Sequence, residues 1–123
     1  MGIKRFEGTG RMSRVVEYND TLYFCGQTDK LAGDTIEEQT KGVLKKIDDL
    51  LEKYGSSKEH LLSITIYLKD MSLFAGMNQI WDEWVINGAE PARATVQAAM
   101  AREEILVEMS VIAAKKHQKY QNL

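Results

Sequence analysis

"DTIEEQTKGVLKKIDDLLEKYG" occupies residues 34–55, and "LSITIYLKD" follows at residues 62–70. In the first stretch Ile36, Val43, Leu44, Ile47, Leu50 and Leu51 recur at helical spacing and form one apolar stripe. Thr35 with Glu38 three residues on is a capping box, acidic residues lead the first turn, and Gly55 suits the position just past a helix end. The second stretch is rich in β-branched and aromatic residues and reads as a strand. A helix that passes directly into a strand predicts a domain of mixed elements.

Reading outward toward the N-terminus, "RMSRVVEY" (11–18) and "TLYFCGQ" (21–27) are β-rich runs joined by Asn19-Asp20, a two-residue hairpin signal. "TDKLAGD" reads as a loop, and "SSKEHLL" as a turn with Ser57 as its cap. Toward the C-terminus, Ser72 is placed to cap a second helix, "LFAGMNQIWDEWVI" (73–86), with Phe74, Met77, Trp81, Trp84 and Val85 close to one face. Gly88 and Pro91, the only proline, end that helix and extend the chain. "ARATVQAA" (92–99) and "ILVEMSVIAA" (105–114) are the last two strands, joined by "MAREE". The residues from 115 to 123 are a polar tail expected to fray.

The expected order is ββαβαββ: an α+β fold with two helices on one face of a mixed sheet. The other sheet face is then uncovered and is expected to carry many Val, Ile, Leu and Met side chains. Such a face points to an interface, and hence to a homo-oligomer. The length of 123 residues fits one domain spanning 1–123.

Charge and composition narrow the function. The net charge of −2, with acidic and basic residues interspersed, lacks the basic stripe of a nucleic-acid binder. No segment has the length and apolarity of a membrane span, and "MGIKRF" lacks a signal-peptide core. The single cysteine, Cys25, allows no internal disulfide and fits a reducing, cytoplasmic compartment. His60 and His117 are isolated, so zinc-site spacing is missing and no metal is expected. There is no phosphate-binding glycine loop ahead of either helix and no nucleophile elbow.

Two charges stand out by position. Arg93 opens a strand of small residues, and Glu108 interrupts an apolar strand. If the last two strands form a hairpin through "MAREE", the two side chains fall near each other. They then read either as a cross-strand ion pair, or solvated edge charges, or as an anion clamp beside a carboxylate that handles a water. Cys25 reads as a buried hydrophobe or a thiol lacking an evident base. Asn78 reads as a water-facing helix residue, and Trp81 and Trp84 as core or interface.

In this order these residues resemble the RidA/YjgF family of reactive-intermediate deaminases, formerly labelled endoribonuclease L-PSP-like, over nearly the whole chain. "PARATVQAAMAREEILVEM" carries the most specific part, supported by "CGQ", "QTKGVLKKIDDLLEKYG" and "LLSITIYLKDMSLFAGMNQIWDEW". The resemblance implies a chorismate-mutase-like fold of the bacillus type, assembled as a homotrimeric barrel with clefts between subunits. It implies hydrolysis of 2-imino and enamine acids to 2-keto acid and ammonia, with no cofactor. Arg93 matches the arginine that holds the substrate carboxylate, and Glu108 the glutamate that orients water. Cys25, Gly26, Asn78, Thr95 and Ser13 fall at substrate-binding positions. Cys25 stands where serine is usual, Thr95 where cysteine is usual, and no tyrosine stands near Ser13, which marks a divergent branch. Two other readings are a trimeric binding protein for small carboxylates and, more weakly, an endoribonuclease.

Overall fold

The computed structural model describes residues 2–117. Six strands and two long helices form it: β1 (Lys4–Gly8), β2 (Ser13–Tyr18), β3 (Thr21–Phe24), α1 (Ile36–Lys53), β4 (Leu61–Leu68), α2 (Phe74–Trp84), β5 (Ala92–Gln97) and β6 (Val107–Ala114). The strands make one mixed sheet in the order β1-β2-β3-β6-β4-β5. It is antiparallel except where β5 runs parallel to β4.

Local chemistry explains the first helix. The Thr35 side chain accepts from the Glu38 N–H, and the Glu38 carboxylate accepts from the Thr35 N–H, closing the expected capping box. At the other end Gly55 has φ +82°, and Ser56 N–H returns to Leu51 O at 2.8 Å. That bond is the outer link of a Schellman turn, and the left-handed residue it requires suits glycine. The hairpin between β2 and β3 also follows the sequence: Asn19 and Asp20 have φ of 51° and 62°, both left-handed, as a two-residue turn of matching twist demands.

The core lies between the helices and the sheet. Ile64, Ile66 and Leu68 of β4 and Val107, Met109 and Val111 of β6 point toward Val43, Leu44, Ile47 and Leu51 of α1 and Met77 of α2, all buried. A buried aliphatic residue of this size contributes about 1.5–3 kcal/mol by leaving water. β4 and β6, the two strands that supply most of these residues, therefore take central positions, each with a partner on both sides.

Four expectations change. First, β1 was absent from the expected order. Its sequence KRFEG has one apolar residue, Phe6, which packs on Tyr54 with ring centroids 5.1 Å apart. The charged residues around it suit an edge strand and hide the strand signal. Second, β5 and β6 do not form a hairpin. The connection 98–106 carries the chain past the end of β4, which then lies between them.

Third, the uncovered face is more polar than expected. Ser63, Thr65, Tyr67, Glu108 and Ser110 lie on it beside Val16, Tyr23, Ile112 and Val96, because the large aliphatic residues of β4 and β6 occupy alternate positions toward the helices. Fourth, the start of the tail is tied down: Lys115 N–H donates to Asp20 O at 2.9 Å and Lys116 N–H to Gly55 O at 2.8 Å. Residues 118–123 of that expected tail lie outside the described residues.

The caps differ in detail too. Asp70, not Ser72, accepts the cap bond before α2, from the Ser72 N–H at 2.8 Å. Ser57 makes no cap bond but lies 2.8 Å from His60 Nδ1. No helix among the described residues is long and apolar enough to cross a membrane.

Candidate functional site

The parallel pairing of β5 with β4 fixes where Arg93 points. Arg93 is registered with Ile64, and Thr95 with Ile66, so both share the face that the helices cover. β5 is an edge strand, and Arg93 remains exposed there. Its Nη1 donates to Asn78 Oδ1 at 2.8 Å. The guanidinium carbon lies 5.3 Å from the Trp81 ring centre and 5.8 Å from that of Phe74. Among the described residues Arg93 makes no ion pair, since every salt bridge there uses other groups. Its charge is held by a neutral amide and by aromatic faces, which leaves most of its donors available.

Thr95 lies two residues along the same face. Its Oγ1 is buried and has no hydrogen-bond partner among the described residues. An unpaired buried hydroxyl is costly and calls for an explanation at the site.

Glu108 belongs to the other face. It is registered with Tyr67, three residues beyond Ile64 on β4, and alternation turns it away from the helices. Gly26 comes against it because the chain after β3 continues along β6: Gln27 N–H donates to Met109 O at 2.8 Å, and Met109 N–H to Gln27 O at 3.1 Å. A Cβ on Gly26 would sit 1.9 Å from Glu108 Oε2, so only glycine leaves the carboxylate where it is. A cavity of about 380 Å³ opens here, lined by Gly26, Tyr67, Ala98, Ala99, Met100, Glu108 and Ser110.

Cys25 adjoins this region and is half-buried. The Gln27 Nε2 donates to Cys25 O at 3.1 Å and approaches its Sγ at 3.4 Å. Cys25 N–H donates to Arg14 O at 2.9 Å, which brings Ser13, the first residue of β2, to the same end of the sheet.

The sequence-derived residues thus form two groups. Arg93, Asn78 and Thr95 gather on the covered face at the β5 edge. Glu108, Gly26 and Cys25 gather on the uncovered side near the start of β6, whereas Ser13, two residues before the buried Val15 on β2, has the parity of the covered face and joins neither group. The cross-strand proximity expected of Arg93 and Glu108 does not occur, because β4 separates their strands and alternation sends them to opposite faces. With strands about 4.8 Å apart and residues about 3.3 Å apart along them, their backbones stand roughly 14 Å from each other. Neither an ion pair nor one small ligand joins them within a single chain.

Sequence reasoning missed the aromatic contacts to Arg93. The signal was present in the spacing of Phe74, Asn78 and Trp81, which puts all three on one stripe of α2. It also missed Tyr67 and Ser110 beside Glu108, because a lone Tyr or Ser within an apolar strand carries no pattern of its own. Among the described residues no group of three or more His, Cys, Asp or Glu side chains converges as a metal set. A wider cavity of about 590 Å³ lies near Lys53, Tyr54, Lys115 and Lys116. Two of its lysines are already paired, Lys53 with Glu7 and Lys115 with Glu17.

Comparison with known proteins agrees with this fold. The family model described as Endoribonuclease L-PSP matches residues 2–115. The RutC family protein YoaB of Escherichia coli strain K12 is 44% identical over 114 residues, covering 93% of this chain and 99% of that protein. A RutC family protein of Haemophilus influenzae is 45% identical over 117 residues, covering 92% and 98%. The crystal structure of a YjgF family member from Neisseria meningitidis superposes with a TM-score of 0.92 at 42% identity, covering 96% of this chain and 98% of that one. With the mixed sheet, its two covering helices and matches spanning most of the chain, the protein belongs to the RidA/YjgF family, the same family named RutC and endoribonuclease L-PSP.

Proposed function

We propose that this protein is a hydrolytic deaminase of reactive 2-imino and enamine acids, releasing a 2-keto acid and ammonia. The observation that carries this reading is the state of Arg93. A guanidinium immobilised by Asn78 and two aromatic rings, with no carboxylate to neutralise it among the described residues, is prepared for an external anion. A 2-imino acid supplies one in its carboxylate.

The chemistry asks little more than placement. An imine carbon is electrophilic, and protonation of its nitrogen increases this. Arg93 fixes the carboxylate, Glu108 orients a water and accepts its proton as the oxygen attacks carbon, and a carbinolamine forms. Glu108 returns that proton to the nitrogen, the C–N bond breaks as the hydroxyl gives up its proton, ammonia leaves, and the carbonyl remains. General acid–base help of about 10²-fold, added to positioning, is the scale expected. The electrophile is already present in the substrate, so the reading needs neither metal nor organic cofactor.

Because Arg93 and Glu108 face opposite ways in one chain, we place the working site between copies. Arg93, Asn78 and Thr95 of one copy then meet Glu108, Gly26 and Cys25 of the next. A homotrimer whose uncovered sheet faces form an inner barrel satisfies this and covers Tyr23, Val96 and Ile112. The partners are then the protein itself and small 2-imino or 2-keto carboxylates, in the cytoplasm. The test generates 2-imino acids in situ from amino acids with an amino-acid oxidase and follows keto-acid formation. Wild-type protein should accelerate it and Arg93→Ala should not. Stabilisation by 2-keto acids without any acceleration would instead make the protein a carboxylate binder.

A further inference from the structure

We propose that Trp81, supported by Phe74, is a positioning residue that holds the Arg93 guanidinium in its carboxylate-receiving orientation. The inference rests on the reading of Arg93 as the carboxylate anchor and extends it to the groups behind that side chain. Arg93 sits on an exposed edge strand, where a long side chain would otherwise sample many rotamers. One hydrogen bond, to Asn78, leaves the guanidinium free to pivot about that contact. The rings at 5.3 and 5.8 Å restrict the pivot. Phe74, Asn78 and Trp81 lie at spacings of four and three residues on α2, so one helix face presents an amide flanked by two aromatic surfaces.

The support is itself fixed. Trp81 is buried, and its ring centre lies 5.4 Å from that of Trp84. Trp84 Nε1 donates to Asp48 Oδ2 at 2.9 Å, which ties α2 to α1. Lys58 Nζ lies 5.1 Å from the Trp84 ring centre and donates to the Trp84 carbonyl at 2.9 Å. Trp81 therefore presents a stationary face to Arg93. The guanidinium retains its outward donors for a planar anion, since ring contacts consume none of them.

The test compares Trp81→Phe, Trp81→Leu and Phe74→Leu with wild type in three measurements. The first is 2-oxobutyrate affinity by calorimetry, and the second is turnover. The third is ¹⁵N relaxation of the Arg93 Nε–H group, which needs no ligand. Trp81→Leu should weaken 2-oxobutyrate binding and raise KM by about 3- to 30-fold, with kcat little changed. Its Arg93 Nε–H should become mobile on the nanosecond scale. Trp81→Phe, which keeps a ring, should recover most of both, and Phe74→Leu should show the same direction with a smaller change.

An Arg93 Nε–H as rigid in Trp81→Leu as in wild type overturns the inference. So do equal losses in the Phe and Leu variants that merely track melting temperature. Arg93→Ala separates this from the parent reading. If Arg93→Ala loses 2-oxobutyrate and Trp81→Leu does not, only the positioning role is wrong. If Arg93→Ala keeps its affinity, the anchor itself is wrong, and the relaxation measurement still decides what Trp81 does to the side chain.

Discussion

Arg93 and Glu108 project from opposite faces of one sheet, with β4 between their strands. If Arg93 anchors the carboxylate and Glu108 handles the water, as proposed, the two tasks are divided in space, and the two residues should fail differently when changed. Loss of a charge-assisted bond to a bound carboxylate costs about 1.5–3 kcal/mol. Arg93→Lys keeps the charge but loses the fork, so KM should rise about tenfold or more while kcat falls less. Glu108→Gln should lower kcat by about 10²-fold at nearly unchanged KM. Steady-state kinetics on in situ imines checks both, and a Glu108→Gln effect confined to KM would remove its role at the water.

If a site takes Arg93 from one copy and Glu108 from another, two inactive variants can rescue each other. Arg93→Ala and Glu108→Gln proteins, unfolded together in equal amounts and refolded, should regain about a quarter of wild-type activity by random assembly into a closed ring. Each variant refolded alone stays inactive. Recovery no greater than the separately refolded proteins would place both residues in one chain's site.

Gly26 should matter to activity more than to folding. An added Cβ meets Glu108 Oε2 at 1.9 Å and Cδ at 2.8 Å. The obstacle is the end of a half-buried side chain, so the carboxylate swings aside and the sheet survives. Gly26→Ala should lower kcat toward the Glu108→Gln level with only a small change in melting temperature. A crystal structure of the variant should show Glu108 in a new rotamer. Full activity would mean that the position of the carboxylate is immaterial.

Much of this was legible in the residues. The Thr35–Glu38 box, Gly55 and the Asn19-Asp20 turn each act within a few residues, and local chemistry decides them. The partner of each strand was not legible. "MAREE" is short enough for a hairpin, and nothing local says that β6, richer in large aliphatics than β5, takes the central place and leaves β5 at the edge. The candidate site residues were proposed through family resemblance, whereas the separation of Arg93 and Glu108 onto two faces depends on long-range register. Trp81 looked like core, and it is core; its second surface, toward Arg93, appears only when β5 is laid beside β4.

Thr95 offers a test of ligand contact that folding does not confound. Its hydroxyl is buried without a partner among the described residues. Replacing it with the nearly isosteric Val removes an unsatisfied group, so Thr95→Val should leave stability unchanged or raise it by up to about 1 kcal/mol. If the hydroxyl serves the ligand beside Arg93, KM should rise several-fold in the same protein. Thermal melts and kinetics on one preparation decide this, and unchanged KM would assign Thr95 to packing.

Acid should loosen the β1 end of the sheet through Glu7. The Tyr54 hydroxyl donates to its carboxylate, and Lys53 Nζ lies 3.0 Å away. The Tyr54 bond first, and the Lys53 bond after it, hold Glu7 below its ordinary value near 4.5. A lowered folded value means that the ionised form is favoured by folding. The contribution is therefore fully present above 4.5 and disappears as pH falls through the lower folded value. Glu7→Gln should melt below wild type at neutral pH, and the gap should close as the buffer is taken from pH 6 into the range below 4.5. Because the Lys53 and Arg14 contacts are solvent-exposed ion pairs, added salt should narrow the neutral-pH gap as well. A gap that is constant across this range would assign the effect of Glu7→Gln to its left-handed backbone, at φ 55°, and not to its charge.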